Sequence, residues 1–100
     1  MEQYKVKIFP TAQCDLNDIV DYLNTLSREA ALKYYDLIVE QISRLQTMPM
    51  RCALVRDPQL RLRGYRLLPV KNYAVFFVIN ENTVEIRRIL YSKRRYQDFL

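Results

Sequence analysis

The residues of this chain that could do chemistry are arginines, lysines and tyrosines, and they crowd toward its C-terminal end. Arg87-Arg88 is followed by Lys93-Arg94-Arg95-Tyr96, and Arg61, Arg63 and Arg66 come shortly before. Guanidinium forks hold phosphate or carboxylate in a bidentate way, and a tyrosine can stack on a base or relay a proton. The pattern suits gripping a polyanion or an acidic partner. The distribution of charge agrees. Residues 1–50 carry five basic and seven acidic side chains, a net of −2, whereas residues 51–100 carry eleven basic and four acidic ones, a net of +7. Such asymmetry directs a polyanionic or acidic partner to the C-terminal half. A solvated surface is the competing reading of any one cationic patch.

Other chemistries find little support. The chain has no histidine, so the usual proton carrier near neutral pH is missing. Cys14 and Cys52 are too few and too far apart for a zinc motif and read as two ordinary thiols, with no metal site. Nothing suggests a small-molecule cofactor. No apolar run is long enough to span a bilayer, and the opening stretch MEQYKVKIF lacks the apolar segment of a secretory signal. A cytosolic protein with no membrane partner is expected. Half of the residues are hydrophobic and 27% are charged, with one glycine and four prolines. That composition fits a single folded domain over residues 1–100.

The elements that must position the cations follow from periodicity. Tyr4 to Phe9 alternates as a half-buried strand, with Lys5 and Lys7 between the apolar positions. Pro10-Thr11 stops it, and Thr11 is a candidate helix N-cap. From Ala12 the apolar residues Leu16, Ile19, Val20 and Leu23 recur at helical spacing, with Asp15, Asp18 and Asp21 opposite. After a break over Asn24 to Ser27, Ser27 caps a second helix whose stripe is Ala31, Tyr34, Leu37, Ile38, Ile42 and Leu45, ending at Met48-Pro49. So short a break implies an antiparallel helical hairpin.

Arg51 to Leu62 reads as an irregular, polar and mobile loop. Three strands follow. The first covers Arg63 to Val70. The second, Tyr73 to Ile79, is apolar on both faces and so central and covered on both sides. Asn80-Glu81-Asn82 turns into the third, Thr83 to Tyr91, in which Val84, Ile86 and Leu90 alternate with Glu85, Arg87 and Ile89. Arg88 then falls on the inward face, where it needs a partner or a bulge to turn it out. Ser92 to Leu100 reads as a short helix docking Tyr96, Phe99 and Leu100. The order βααβββ implies an α+β domain, a curved, mainly antiparallel sheet packed against the helical hairpin.

Three local patterns carry a resemblance. They are Asp15-Leu16 with Ile19 and Tyr22-Leu23; Gly64-Tyr65-Arg66 followed by Asn72-Tyr73 and Phe76-Phe77; and the closing Arg88-Ile89-Leu90-Tyr91-Ser92-Lys93-Arg94. In this order and spacing, over nearly the whole chain, the sequence resembles the RelE/ParE superfamily of bacterial toxins. The resemblance implies a toxin held inactive by a cognate antitoxin. One branch of that superfamily cuts messenger RNA in the ribosome, and the other binds DNA gyrase without nuclease chemistry.

On the first branch, the resemblance puts Arg66 and Arg94 on the scissile phosphate and Tyr96 near the base, as catalytic residues of a metal-independent endoribonuclease. Arg61, Arg63, Arg87, Lys93 and Arg95 would contact nucleic acid. One departure bears on this. The lysines that precede the glycine–tyrosine–arginine stretch in messenger-cleaving members are replaced by Asp57 and Gln59, so no proton-transfer group is evident. The sequence leans slightly to RNA cleavage on the strength of its arginines. Gyrase poisoning, and a detoxified module that only binds an antitoxin, are the alternatives.

Overall fold

Lys5–Ile8 forms β1, one residue shorter at each end than its alternation suggests. The structure, a computed structural model, describes residues 3–100; Met1 and Glu2 lie outside it. Pro10 does not separate the strand from a cap at Thr11. It is itself the first residue of helix α1 (Pro10–Leu26), and extended Phe9 is the N-cap. Proline fits there because the first helical N–H has no partner within the helix and the ring already sets a helical φ.

The break expected over Asn24 to Ser27 shrinks to one residue. The Ser27 N–H donates to Leu23 O and closes α1. Its hydroxyl accepts from Ala30 N at 3.2 Å and opens helix α2 (Arg28–Ser43). A short 3-10 turn, Arg44–Gln46, continues α2 and buries Leu45.

The sheet contains β1, β2 (Arg66–Val70), β3 (Tyr73–Asn80) and β4 (Thr83–Tyr91), in the order β1-β4-β3-β2. β2, β3 and β4 form an antiparallel meander, and β1 pairs parallel to β4 with Lys7 beside Glu85. The two helices cover one face. Leu16, Ile38, Leu45, Val75, Phe77 and Val84 are almost completely buried there. The fold is α+β with the expected helical hairpin.

The register of β4 differs from simple alternation. Phe76 opposes Arg88 while Phe77 opposes Ile86, so Arg87 is an extra residue in a bulge. Side chains beyond a bulge exchange faces. Ile89, expected to point outward, joins the helix-facing core, and Leu90 moves to the opposite face.

The larger departure is residues 51–62. They do not form a polar loop; Cys52, Val55 and Leu60 are buried. Leu54 bridges Arg66 in antiparallel fashion, and Pro58–Leu62 forms a short helix, α3, with Asp57 Oδ1 accepting from Leu60 N at 3.1 Å. Val55 and Leu60 join Tyr65, Ala74, Phe76 and Leu90 in a second core on the sheet's outer face, closed by Tyr96 and Leu100. This second core is why β3 is apolar on both faces. The outer cover stops short of β1, where Lys5 and Lys7 stay exposed. Among the described residues no helix is long and apolar enough to cross a membrane.

Candidate functional site

All three guanidinium nitrogens of Arg88 donate within the protein. Its Nε and Nη2 donate to Asp15 Oδ2 and Oδ1 at 2.7 and 2.9 Å, and Nη1 donates to Phe99 O at 3.2 Å. Asp15 Oδ2 also accepts from Ile89 N at 3.0 Å. β1 ends at Ile8, opposite Ile86, so from Arg87 onward β4 has no neighbouring strand on that side. The Asp15 carboxylate takes over there as acceptor. The bidentate carboxylate strengthens the hold of Arg88 on its proton and raises its pKa above the ordinary guanidinium value, against the opposing effect of burial. Arg88 thus has its partner, and the bulge before it moves it off the inward face that simple alternation assigned.

Arg66 stands at the start of β2, half-buried. Its Nη1 donates to Cys52 O at 2.6 Å and Met50 O at 3.3 Å. The guanidinium fastens the segment after Pro49 to the edge of the sheet.

Tyr96 lies in a 3-10 turn, Tyr96–Asp98. Its ring stacks on Phe76 with centroids 5.2 Å apart, and its hydroxyl accepts from Asp57 N at 3.1 Å. The side chain therefore joins the C-terminal turn to the cap of α3. Tyr96→Phe is expected to lower stability by about 1 kcal/mol through the lost hydrogen bond. Tyr96→Ala is expected to cost roughly 2 kcal/mol through lost packing, and urea unfolding distinguishes the two. Arg94 lies over the Phe99 ring at 5.4 Å, shared with Arg88 at 5.3 Å. Arg95 pairs with Asp98 at 3.2 Å on the open surface, where such pairs contribute little. Lys93 and Arg61 are exposed.

A separate cluster occupies the uncovered part of the outer face. Arg87 Cζ lies 4.7 Å from the Phe9 ring centroid and 5.9 Å from that of Tyr65. Lys7 Nζ lies 5.5 Å from Phe9, and Arg63 Cζ lies 5.6 Å from Tyr65. Arg87 also donates to Glu85 Oε1 at 2.7 Å and to the Tyr65 hydroxyl at 3.4 Å.

Hydrogen bonds from Arg87 are the main reason the Glu85 carboxyl titrates below its ordinary 4.5; Asn80 and the charges of Arg87 and Lys7 add to this, and burial opposes it. The folded value lies below the unfolded one, so the pair stabilises fully above about pH 4.5 and loses that contribution as pH falls through the folded value. Glu85→Gln is expected to lower Tm at neutral pH and to flatten the acid limb of a Tm-against-pH curve. An acid limb unchanged from the parent protein would refute the assignment.

The expected site residues are thus distributed. Arg63 and Arg87 come together, joined by Lys7 and Phe9, which the sequence reading did not single out. Arg66, Arg94 and Tyr96 engage three separate sets of contacts. Tyr96 lines a shallow apolar groove with Leu54, Leu67 and Pro69. Arg94 lines a different groove between α1 and β4, with Asp18, Tyr22, Tyr73 and Tyr91. Burial raises the Tyr73 hydroxyl above its ordinary pKa, helped by the neighbouring Tyr34, Tyr22 and Tyr91. Among the described residues no three His, Cys, Asp or Glu side chains gather as a metal site, and Cys14 and Cys52 are both free thiols.

Comparison with known proteins places this arrangement. Residues 6–96 match the family described as the ParE toxin of the type II toxin-antitoxin system parDE. No curated protein matches the sequence. Among solved structures, a chain of a chromosomal ParDE toxin–antitoxin system from P. aeruginosa is 26% identical, with a TM-score of 0.78 over 93% of this chain and 100% of that one. A chain of the toxin–antitoxin complex RelBE2 from Mycobacterium tuberculosis is 21% identical, with a TM-score of 0.59 over 89% of this chain and 98% of that one, a likeness of fold.

Proposed function

This chain belongs to the ParE family of toxins from type II toxin–antitoxin systems, and we propose that it arrests growth by binding DNA gyrase and not by cutting messenger RNA. One observation carries the choice. Two of the three residues that an RNA-cleaving reading requires are committed to structural contacts, Arg66 to the carbonyls of Met50 and Cys52 and Tyr96 to Asp57 N and the Phe76 ring; the third, Arg94, is exposed and lies over the Phe99 ring. Cleavage through the 2′-hydroxyl needs a base and an acid beside the cations that hold the phosphorane. With no histidine in the chain and Tyr96 accepting a backbone N–H, no such pair is assembled around Arg66 among the described residues. Binding without chemistry requires only a stable surface, which the two cores of the domain supply. Its expected partner before release is the cognate antitoxin of such systems.

Purified toxin in excess over gyrase is expected to abolish supercoiling of relaxed plasmid and to accumulate cleaved DNA. Primer extension on messages from a translating extract is expected to show no new ends. Full supercoiling activity together with new in-frame ends on translated messages would reverse the assignment and return Arg66, Arg94 and Tyr96 to catalytic roles.

A further inference from the structure

We propose that the ring-held cations Lys7, Arg87 and Arg63 form a docking surface for the phosphodiester backbone of duplex DNA. This goes beyond gyrase binding, because it concerns direct contact between the toxin and nucleic acid and is measured with DNA alone.

Arg88, Arg87, Arg95 and Arg44 are paired with carboxylates at 2.7, 2.7, 3.2 and 2.8 Å, which offsets their charge toward an outside anion. Lys7 and Arg63 are held by aromatic rings instead. A ring fixes the position of a cation through its quadrupole and leaves the net charge intact. Arg87 lies between them, against both rings. The result is an alternating row, Lys7–Phe9–Arg87–Tyr65–Arg63, running from β1 across β4 to the residues just before β2. Glu85 is the carboxylate within it, hydrogen-bonded to Arg87. Lys5 lies two residues before Lys7 on the same exposed face of β1. Holding the side chains in place beforehand lowers the ordering cost that flexible lysines and arginines otherwise carry into a complex.

The rings also decide which nucleic acid fits. Recognition of single-stranded RNA depends on unstacked bases lying against open aromatic faces. Tyr65 is only 4% exposed, and Phe9 is half-buried with Lys7 and Arg87 against its ring. No stacking platform is left. The surface offers charge without an open ring, which matches the regular phosphates of a duplex and carries no base readout.

The test is fluorescence anisotropy with a labelled duplex of arbitrary sequence, titrated with toxin at several salt concentrations. Three phosphate contacts, at Lys5, Lys7 and Arg63, with the Glu85-paired Arg87 holding the row together, predict a slope of log K against log salt of about −3. The double variant Lys7→Gln/Arg63→Gln is expected to bring the slope to about −1 and to weaken binding by roughly tenfold or more. Among the described residues neither is buried or ion-paired, and an unchanged Tm would confirm the fold. The double variant Arg28→Gln/Lys33→Gln removes the same charge from exposed sites on α2 and is expected to leave affinity within about twofold.

Equal losses in both doubles would show attraction by net charge alone and overturn the proposal. So would tighter binding of single-stranded RNA than of duplex. So would an acidic peptide that binds the patch while duplex DNA does not.

Discussion

Replacing Asp15 with alanine is expected to destabilise the domain by about 3 kcal/mol, more than any other change to a charged side chain. Asp15 and Arg88 are only 12% and 20% exposed. Alanine leaves the guanidinium without its bidentate acceptor and the Ile89 N–H without its partner. Removing one member of such a pair costs more than the pair is worth, because an uncompensated charge stays behind. Arginine does not lose its proton to relieve this. For a domain of this size the loss corresponds to a fall in Tm of roughly 12–20 °C. Asp15→Leu combined with Arg88→Met is expected to recover most of it, since neither charge then remains. A single Asp15→Ala protein within about 1 kcal/mol of the parent in urea unfolding would show that the pair is incidental.

Phe77→Ala is the second large effect, expected at about 4 kcal/mol. Phe77 is fully buried in the helix-facing core. It lies opposite Arg66 on β2 and Ile86 on β4, next to the bulge, so little backbone is free to collapse into the space left. A loss of this size is a large fraction of the roughly 5–15 kcal/mol that holds an ordinary domain together. Phe77→Leu keeps most of the volume and is expected to cost less than half as much. Phe99→Ala removes a ring that is 36% exposed and is expected to cost under about 1 kcal/mol. The midpoint in urea should shift with the slope unchanged. A Phe77→Ala cost no larger than that of Phe99→Ala would place the core elsewhere.

The helices and the meander were legible because their periodicities are strong and their ends are marked by Ser27, Met48-Pro49 and Asn80-Glu81-Asn82. The second core was not. Its contributors outside the long strands are Val55, Leu60 and Tyr65 just before β2 and Leu100 at the far end of the chain, and they follow neither a helical nor a strand period. Asp57-Pro58 was the overlooked signal, an N-cap followed by a proline at the first helical position. The bulge escaped because one extra residue in β4 leaves the alternation before it intact and changes only Arg88, Ile89, Leu90 and Tyr91. Arg88 carried the hint, as an arginine on a face that reads as buried. Asp15 read as part of a solvated acidic face because its partner lies 73 positions away. Lys7 and Phe9 entered the cationic row only through the parallel pairing of β1 with β4. No local pattern specifies which edge of the sheet the first strand joins.

Ser27 has a mechanical consequence. The same residue finishes α1 with its amide and begins α2 with its hydroxyl, so the hairpin has no slack at its corner. Swinging one helix away from the other would first unravel a turn of one of them. A protein that grips either arm therefore pulls on both. Force applied at the outer surface of the hairpin passes to the sheet as if through a rigid bracket.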